Sequence, residues 1–159
     1  NGKIAIISSA IETENNNYYV QMREQGFTDF LKVEYPQIVI VSRVESFEDP
    51  QITYEKTVQL LAEQPDLRGI YITCGGVAQV GRALIESGRS KDIRVLCYED
   101  YPEIVELMRQ GVIDWTLGGE KDEQGALPVK LIMDQLVFGR KPARDQIFTE
   151  TRILVKECL

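Results

Sequence analysis

Short apolar runs alternate with amphipathic stretches along the whole sequence, and no other property of the chain limits its possible folds as much. Residues 3–9 (KIAIISS), 37–44 (QIVIVSRV), 67–73 (LRGIYIT), 93–98 (IRVLCY), 112–117 and 147–155 read as strands, because β-branched and apolar residues dominate them. Helices are predicted between them, over 18–33, 51–64, 77–87, 100–110 and 121–138. Val20, Phe27 and Leu31 mark the apolar face of the first. Tyr54, Val58 and Leu61 mark that of the second, and Val77, Val80 and Leu84 that of the third, which Gly88 closes. In the fourth, Asp100 is the expected N-cap, Pro102 opens the first turn and Glu103 stands at the capping-box position. Ile104, Leu107 and Met108 form its stripe and Gly111 its stop. The fifth contains Pro128, which should kink it or mark a later start, and ends at Gly139.

Strands that carry apolar residues on both faces belong in a sheet covered by helices on both sides. The expected fold is therefore α/β, a doubly wound and mostly parallel sheet. In such sheets ligands sit beyond the carboxyl ends of the strands. The loops over residues 8–17, 44–49, 73–76, 98–101 and 118–122 are the places to look for a site.

Composition removes several kinds of chemistry. The chain has 159 residues, enough for one ordinary domain, and its 43% hydrophobic share supplies a core. With 25 Asp and Glu against 18 Lys and Arg, the net charge of -7 argues against a grip on nucleic-acid phosphates. No run approaches the about 18 apolar residues of a membrane span, and no leader pattern begins at residues 1–3. Histidine is absent, which excludes Ser–His–Asp and Cys–His catalysis and imidazole zinc sites. Cys74, Cys97 and Cys158 are far apart, with no C-x-x-C, so neither a disulfide framework nor a thiolate metal site is expected. Unpaired cysteines fit a reducing compartment and a cytoplasmic location. No cofactor, no metal and no enzymatic activity is expected.

Four strand-end positions stand out. Arg23, early in the first helix, can fork onto hydroxyls or a carboxylate; its plainer role is an ion pair with Glu24 or another acid. Phe47 can stack on a sugar face or plug the edge of the core. Gly75 and Gly76 form a turn that lets backbone approach a ligand. The stretch from Gly76 to Ala83 has P-loop spacing, but Arg82 and Ala83 replace the Lys and Ser/Thr that hold phosphate and magnesium, which leaves nucleotide chemistry without carriers. Glu99 follows the fourth strand and can accept hydrogen bonds from hydroxyls; its plainer role is a salt bridge, for instance to Arg23.

Taken in order, KIAIISS, MREQGF, SFED, GIYITCGGVAQVGRAL, IRVLCYED, VELMRQGVIDWTLGGEKDEQGALPVKLIMDQLVFGRKP and TRILVKECL closely resemble the second half of the lac-repressor-type (LacI/GalR) effector-binding domain, which has the type I periplasmic-binding-protein fold. The resemblance covers nearly the whole chain. It implies a single fragment of an effector-binding domain, with residues 1–117 and 154–159 in a carboxyl-terminal lobe and 118–153 lent to the other lobe. It matches Arg23 to an effector-binding arginine, Phe47 to a loop carrying a stacking aromatic, Glu99 to a ligand-facing aspartate and Gly75 to a ligand-contacting asparagine. Gly119 and Glu120 stand in place of Gln-Asp. The implied function is sensing of a sugar-like effector by a transcriptional regulator, with DNA bound only through a headpiece outside this chain. A homodimer is implied too, since the helix over 121–138 has an apolar face without its native partner. The alternative is a periplasmic sugar-binding protein serving a transporter or a sensor kinase.

Overall fold

The computed structural model describes residues 2–10 and 18–159. The polar loop expected over 8–17 therefore lies outside the described residues from 11 onward. Six strands and five α-helices alternate: β1 (Lys3–Ser8), α1 (Tyr18–Glu34), β2 (Val39–Glu45), α2 (Pro50–Glu63), β3 (Leu67–Ile72), α3 (Val77–Glu86), β4 (Arg94–Tyr98), α4 (Pro102–Arg109), β5 (Trp115–Gly119), α5 (Lys121–Phe138) and β6 (Thr151–Val155). They build one sheet in the order β2-β1-β3-β4-β5-β6. The first five strands are parallel; β6 returns antiparallel along β5, Trp115 opposite Val155 and Gly119 opposite Thr151. The α/β, mostly parallel architecture expected from the alternation is the one found.

Side-chain alternation divides the sheet into two faces. Ala5, Ile7, Ile70, Ile72, Val95 and Cys97 join Leu60 and Leu61 of α2, Val80 and Leu84 of α3, and Ile104 and Met108 of α4 in one buried cluster. The opposite face receives α1, whose Phe27 ring lies 4.2 Å from the ring of Tyr71. A 190 Å³ hollow remains there, lined by Ile4, Phe27, Tyr71, Leu96 and Trp115. The 17-residue α1 and the three helices on the other face thus sandwich the central strands, and Ile6 and Ile7 lose all contact with solvent.

Three local details depart from the sequence reading. Asp100 does not cap α4: Tyr101 holds the cap position without a side-chain bond. The Asp100 carboxylate is drawn instead to the Lys121 ammonium at the start of α5. Charge pairing across two loops outcompetes a single cap hydrogen bond. Strand β5 begins at Trp115, not 112, because Val112 and Ile113 enter the core from a turn in which their amides bond back to Leu107 O. Strand β6 is shorter than expected, starting at Thr151. Helix α5, by contrast, spans Lys121–Phe138 as expected, with Pro128 inside it and Gly139 at its end; of the two effects expected of Pro128, a later start is not the one found.

Of the two turn glycines, Gly76 is the one the fold requires. It has φ 87°, and a Cβ there would stand 2.8 Å from Thr53 Cγ2. At Gly75 a Cβ would meet nothing closer than 3.8 Å. Gly76→Ala should cost about 2–4 kcal/mol, from a left-handed residue with a side chain and from overpacking. Gly75→Ala should stay within about 0.5 kcal/mol of the parent. Urea denaturation of the two variants checks the contrast.

The three cysteines are free; Cys74 and Cys97 are buried and Cys158 is exposed. Burial raises the Cys74 thiol above its ordinary value and pushes Cys97 up to about 11. Reactivity follows the thiolate, which burial suppresses. In the folded protein at pH 8, an aromatic disulfide reagent should label one thiol quickly, and Cys158→Ser should abolish that fast phase.

Candidate functional site

The carboxyl edge of the sheet is held by main-chain carbonyls at the end of β1. Ile7 O accepts from Thr73 N at 3.0 Å and from Thr73 Oγ1 at 3.3 Å. Ser8 O accepts from Ser46 N at 2.8 Å and Ser46 Oγ at 3.0 Å. Ser46, Thr73 and Thr116 are fully buried, and each hydroxyl has an oxygen partner. Such satisfied buried polar groups rigidify the loops that carry them. The ends of β1, β2 and β3 are thereby fixed relative to one another.

Arg23 projects from the second turn of α1 onto this edge. Its Nη1 donates to Thr73 O at 3.1 Å, and its guanidinium carbon lies 3.8 Å from the centroid of Tyr98. The Tyr98 hydroxyl shares a 3.0 Å hydrogen bond with that of Tyr71, which also reaches Arg23 O at 3.4 Å. Burial, reinforced by the bond to Tyr98, holds the Tyr71 phenol far above its ordinary value, so it stays protonated. The acid next to Arg23 is occupied elsewhere: Glu24 pairs with Arg43 at 2.6 Å. Among the described residues no carboxylate pairs with Arg23. Its fork is thus stacked on Tyr98 and tethered to Thr73 O, with further N–H donors unpaired among the described residues.

Glu99, immediately after Tyr98, sits at φ 74°. Its main chain is clamped, N–H to Leu117 O at 2.8 Å and carbonyl under the Thr116 hydroxyl. Its carboxylate reaches not Arg23 but Lys121, at 4.0 Å. The alternative of a pair with Arg23 is thus not the one found; the contact runs across the β5–α5 turn. Tyr98 links the two ligand-binding candidates: it carries Arg23 on its ring and precedes Glu99 in the chain.

Phe47 and Gly75 lie on the same edge but face differently. Phe47 follows β2 with φ 53° and is 52% exposed, its ring 5.2 Å from the Lys56 ammonium on α2. It does not plug the core. Gly75 is exposed, beside the side chain of Glu48. Phe47, Glu48 and Glu99 are the non-glycine residues with positive φ among those described, and all three follow strand ends. Strained backbone of this kind concentrates where a surface has a task.

Sequence reasoning missed Tyr71, Tyr98, Lys121 and Glu48. Tyr71 and Thr73 share a face at i and i+2 and could have been read together; the contact of Lys121 with Glu99 and Asp100 spans two loops and leaves no local signature. Among the described residues there is no cluster of three or more metal-ligating side chains, and no helix long and apolar enough to cross a membrane.

Comparison with known proteins places the fold. Residues 1–141 match the model of the periplasmic binding protein domain. No curated protein matches the chain. Among solved structures, a glucose-galactose binding protein from Geobacillus stearothermophilus superposes with a TM-score of 0.84 at 27% identity, over 99% of this chain and 54% of that one. A carbohydrate transporter solute-binding protein from Agrobacterium radiobacter in complex with D-arabinose gives 0.86 at 18%, over 98% and 51%. An ABC transporter solute-binding protein from Agrobacterium vitis with bound D-fucose gives 0.83 at 21%, over 98% and 52%. The chain spans about half the length of these relatives. Family model and topology agree, and the chain belongs to the periplasmic binding protein domain family.

Proposed function

We propose that the chain is one wall of a sugar-binding cleft, with its contacts on the carboxyl edge of the sheet, and that it captures ligand without transforming it. The observation that carries this reading is Arg23. A guanidinium laid on Tyr98, tethered to Thr73 O and without a carboxylate partner among the described residues is set to donate to ligand hydroxyls. Glu99 accepts from the neighbouring strand end, and Phe47 offers a ring at the rim. A structural relative described as a glucose-galactose binding protein, and two transporter solute-binding proteins with D-arabinose and D-fucose bound, support a sugar as the ligand and solute capture for a transporter as the context. A small sugar is held well only when most of its surface is covered, so a second wall is part of the proposal. Closure of the two walls on ligand is then a population shift between open and closed arrangements.

A second reading keeps the same cleft in the sensor domain of a lac-repressor-type regulator, in the cytoplasm. The ordered sequence resemblance and the three free thiols favour it. The two contexts differ in what sugar does to the whole protein: release or recruitment of DNA in one, delivery to a membrane transporter in the other.

Helix α5 belongs to the opposite wall in both. None of its side chains is buried, and Ile132, Met133 and Leu136 are exposed, Leu136 to 76%. Apolar faces of this extent seek a partner. On its own the chain should self-associate through α5, as a homodimer, and Leu136→Glu combined with Met133→Glu should shift sedimentation velocity towards the monomer.

Titration calorimetry of the full-length protein against D-glucose, D-galactose, D-arabinose and D-fucose tests the central claim. At least one should bind, and Arg23→Ala should weaken it by about tenfold or more, the loss of a charge-assisted hydrogen bond. An unchanged affinity in Arg23→Ala removes Arg23 from the site.

A further inference from the structure

The geometry points to Glu48 as a ligand-reading residue that supplies a hydrogen-bond acceptor over the bare end of β3; the inference rests on the sugar-binding reading above. Gly75 leaves the first turn after β3 without a side chain. The space is taken by Glu48, whose Cγ and Cδ stand 3.8 Å and whose Cβ stands 3.9 Å from the place a residue-75 Cβ would occupy. The Glu48 carboxylate is close enough to act on the Cys74 thiol, next in the chain to Gly75.

This placement is built, not incidental. Glu48 sits at φ 57°, directly after Phe47 at 53°. Ser46 Oγ accepts the Glu48 N–H at 3.3 Å and is itself bonded to Ser8 O. Phe47 N–H donates to Ser9 O at 2.5 Å. The buried frame of the site thus aims the side chain. Its carboxylate is exposed and makes no hydrogen bond or ion pair among the described residues. The other acids nearby are engaged: Asp49 accepts from Ile52 N–H at 2.8 Å, Glu99 and Asp100 face Lys121, and Glu24 holds Arg43.

The chemistry defines what Glu48 reads. An ionised carboxylate only accepts hydrogen bonds and a guanidinium only donates them. Glu48 over β3 and Glu99 after β4 therefore call for ligand hydroxyl donors, and Arg23 calls for hydroxyl oxygens. A polyol, whose hydroxyls both donate and accept, satisfies all three. A ligand presenting an ether or carbonyl oxygen above Gly75 would be refused by Glu48.

The experiment is calorimetry of the full-length protein with D-glucose, D-galactose, D-arabinose and D-fucose, comparing the parent with Glu48→Ala, Arg23→Ala and the double variant Glu48→Ala/Gly75→Asn. Thermal melts confirm that each variant is folded. Glu48→Ala should weaken the best-binding sugar by about ten- to a hundredfold. An asparagine side chain at position 75 fits the open space and puts an amide oxygen in the vacated place, so the double variant should recover part of the loss. A merely structural role for Glu48 would not be rescued in this way. A loss of less than about twofold in Glu48→Ala while Arg23→Ala binds weakly overturns the assignment of Glu48 alone, as does a loss that Gly75→Asn does not relieve. If none of the sugars binds the parent protein, the sugar-binding reading fails and this inference with it.

Discussion

Two carbonyl oxygens at the end of β1 hold the carboxyl edge of the sheet in place. Ile7 O and Ser8 O together receive the amides and hydroxyls of Thr73 and Ser46. These groups are buried, so water cannot replace a lost partner, and leaving one unmade would cost about 1–3 kcal/mol. Everything proposed for the edge depends on them. Thr73 O in turn holds Arg23, and Ser46 Oγ holds the turn that carries Phe47 and Glu48. A central strand thus organises loops on both of its neighbours, which is possible because β1 lies between β2 and β3 in the sheet.

The fold was legible because burial on both faces forces long apolar runs that solvent-exposed segments do not show. Strands β1, β3 and β4 and helices α1 to α4 stand close to where periodicity put them. Errors fell where two local signals competed. Val112 and Ile113 look like strand and are as buried as strand, yet they pack from a turn. Asp100 has the spacing of a cap, yet its charge is better met by Lys121. Hydropathy reports burial, not backbone geometry, and cap statistics cannot see a cation brought in from another loop. The antiparallel return of β6 was likewise invisible, since strand direction leaves no mark on composition.

The candidate site was legible at the level of strand ends and not at the level of partners. Arg23 and Glu99 were singled out by position, and the structure lays Arg23 on the ring of Tyr98, the residue before Glu99 in the chain. The plainer alternative, an ion pair between them or of Arg23 with Glu24, does not form: Glu99 faces Lys121 and Glu24 pairs with Arg43, partners that sequence separation hides. Gly75 and Gly76 looked alike as letters; only the backbone separates a glycine demanded by φ 87° from one that leaves room. Glu48 had no signal of its own. Its interest arises from the room beside Gly75, a relation between two loops that meet through Ser46 and Cys74 and lie 28 residues apart in the chain.

The left-handed pair Phe47 and Glu48 has a bearing on how such a chain could be made hardier. A non-glycine residue in that region carries about 1–2 kcal/mol of steric cost, and selection for heat tolerance favours substitutions that remove such costs. Glycine or asparagine in this turn is an easy route to a higher melting temperature. It would also slacken the aim of the side chains above β3. Heat resistance and discrimination between ligands would then be traded against each other within two consecutive codons.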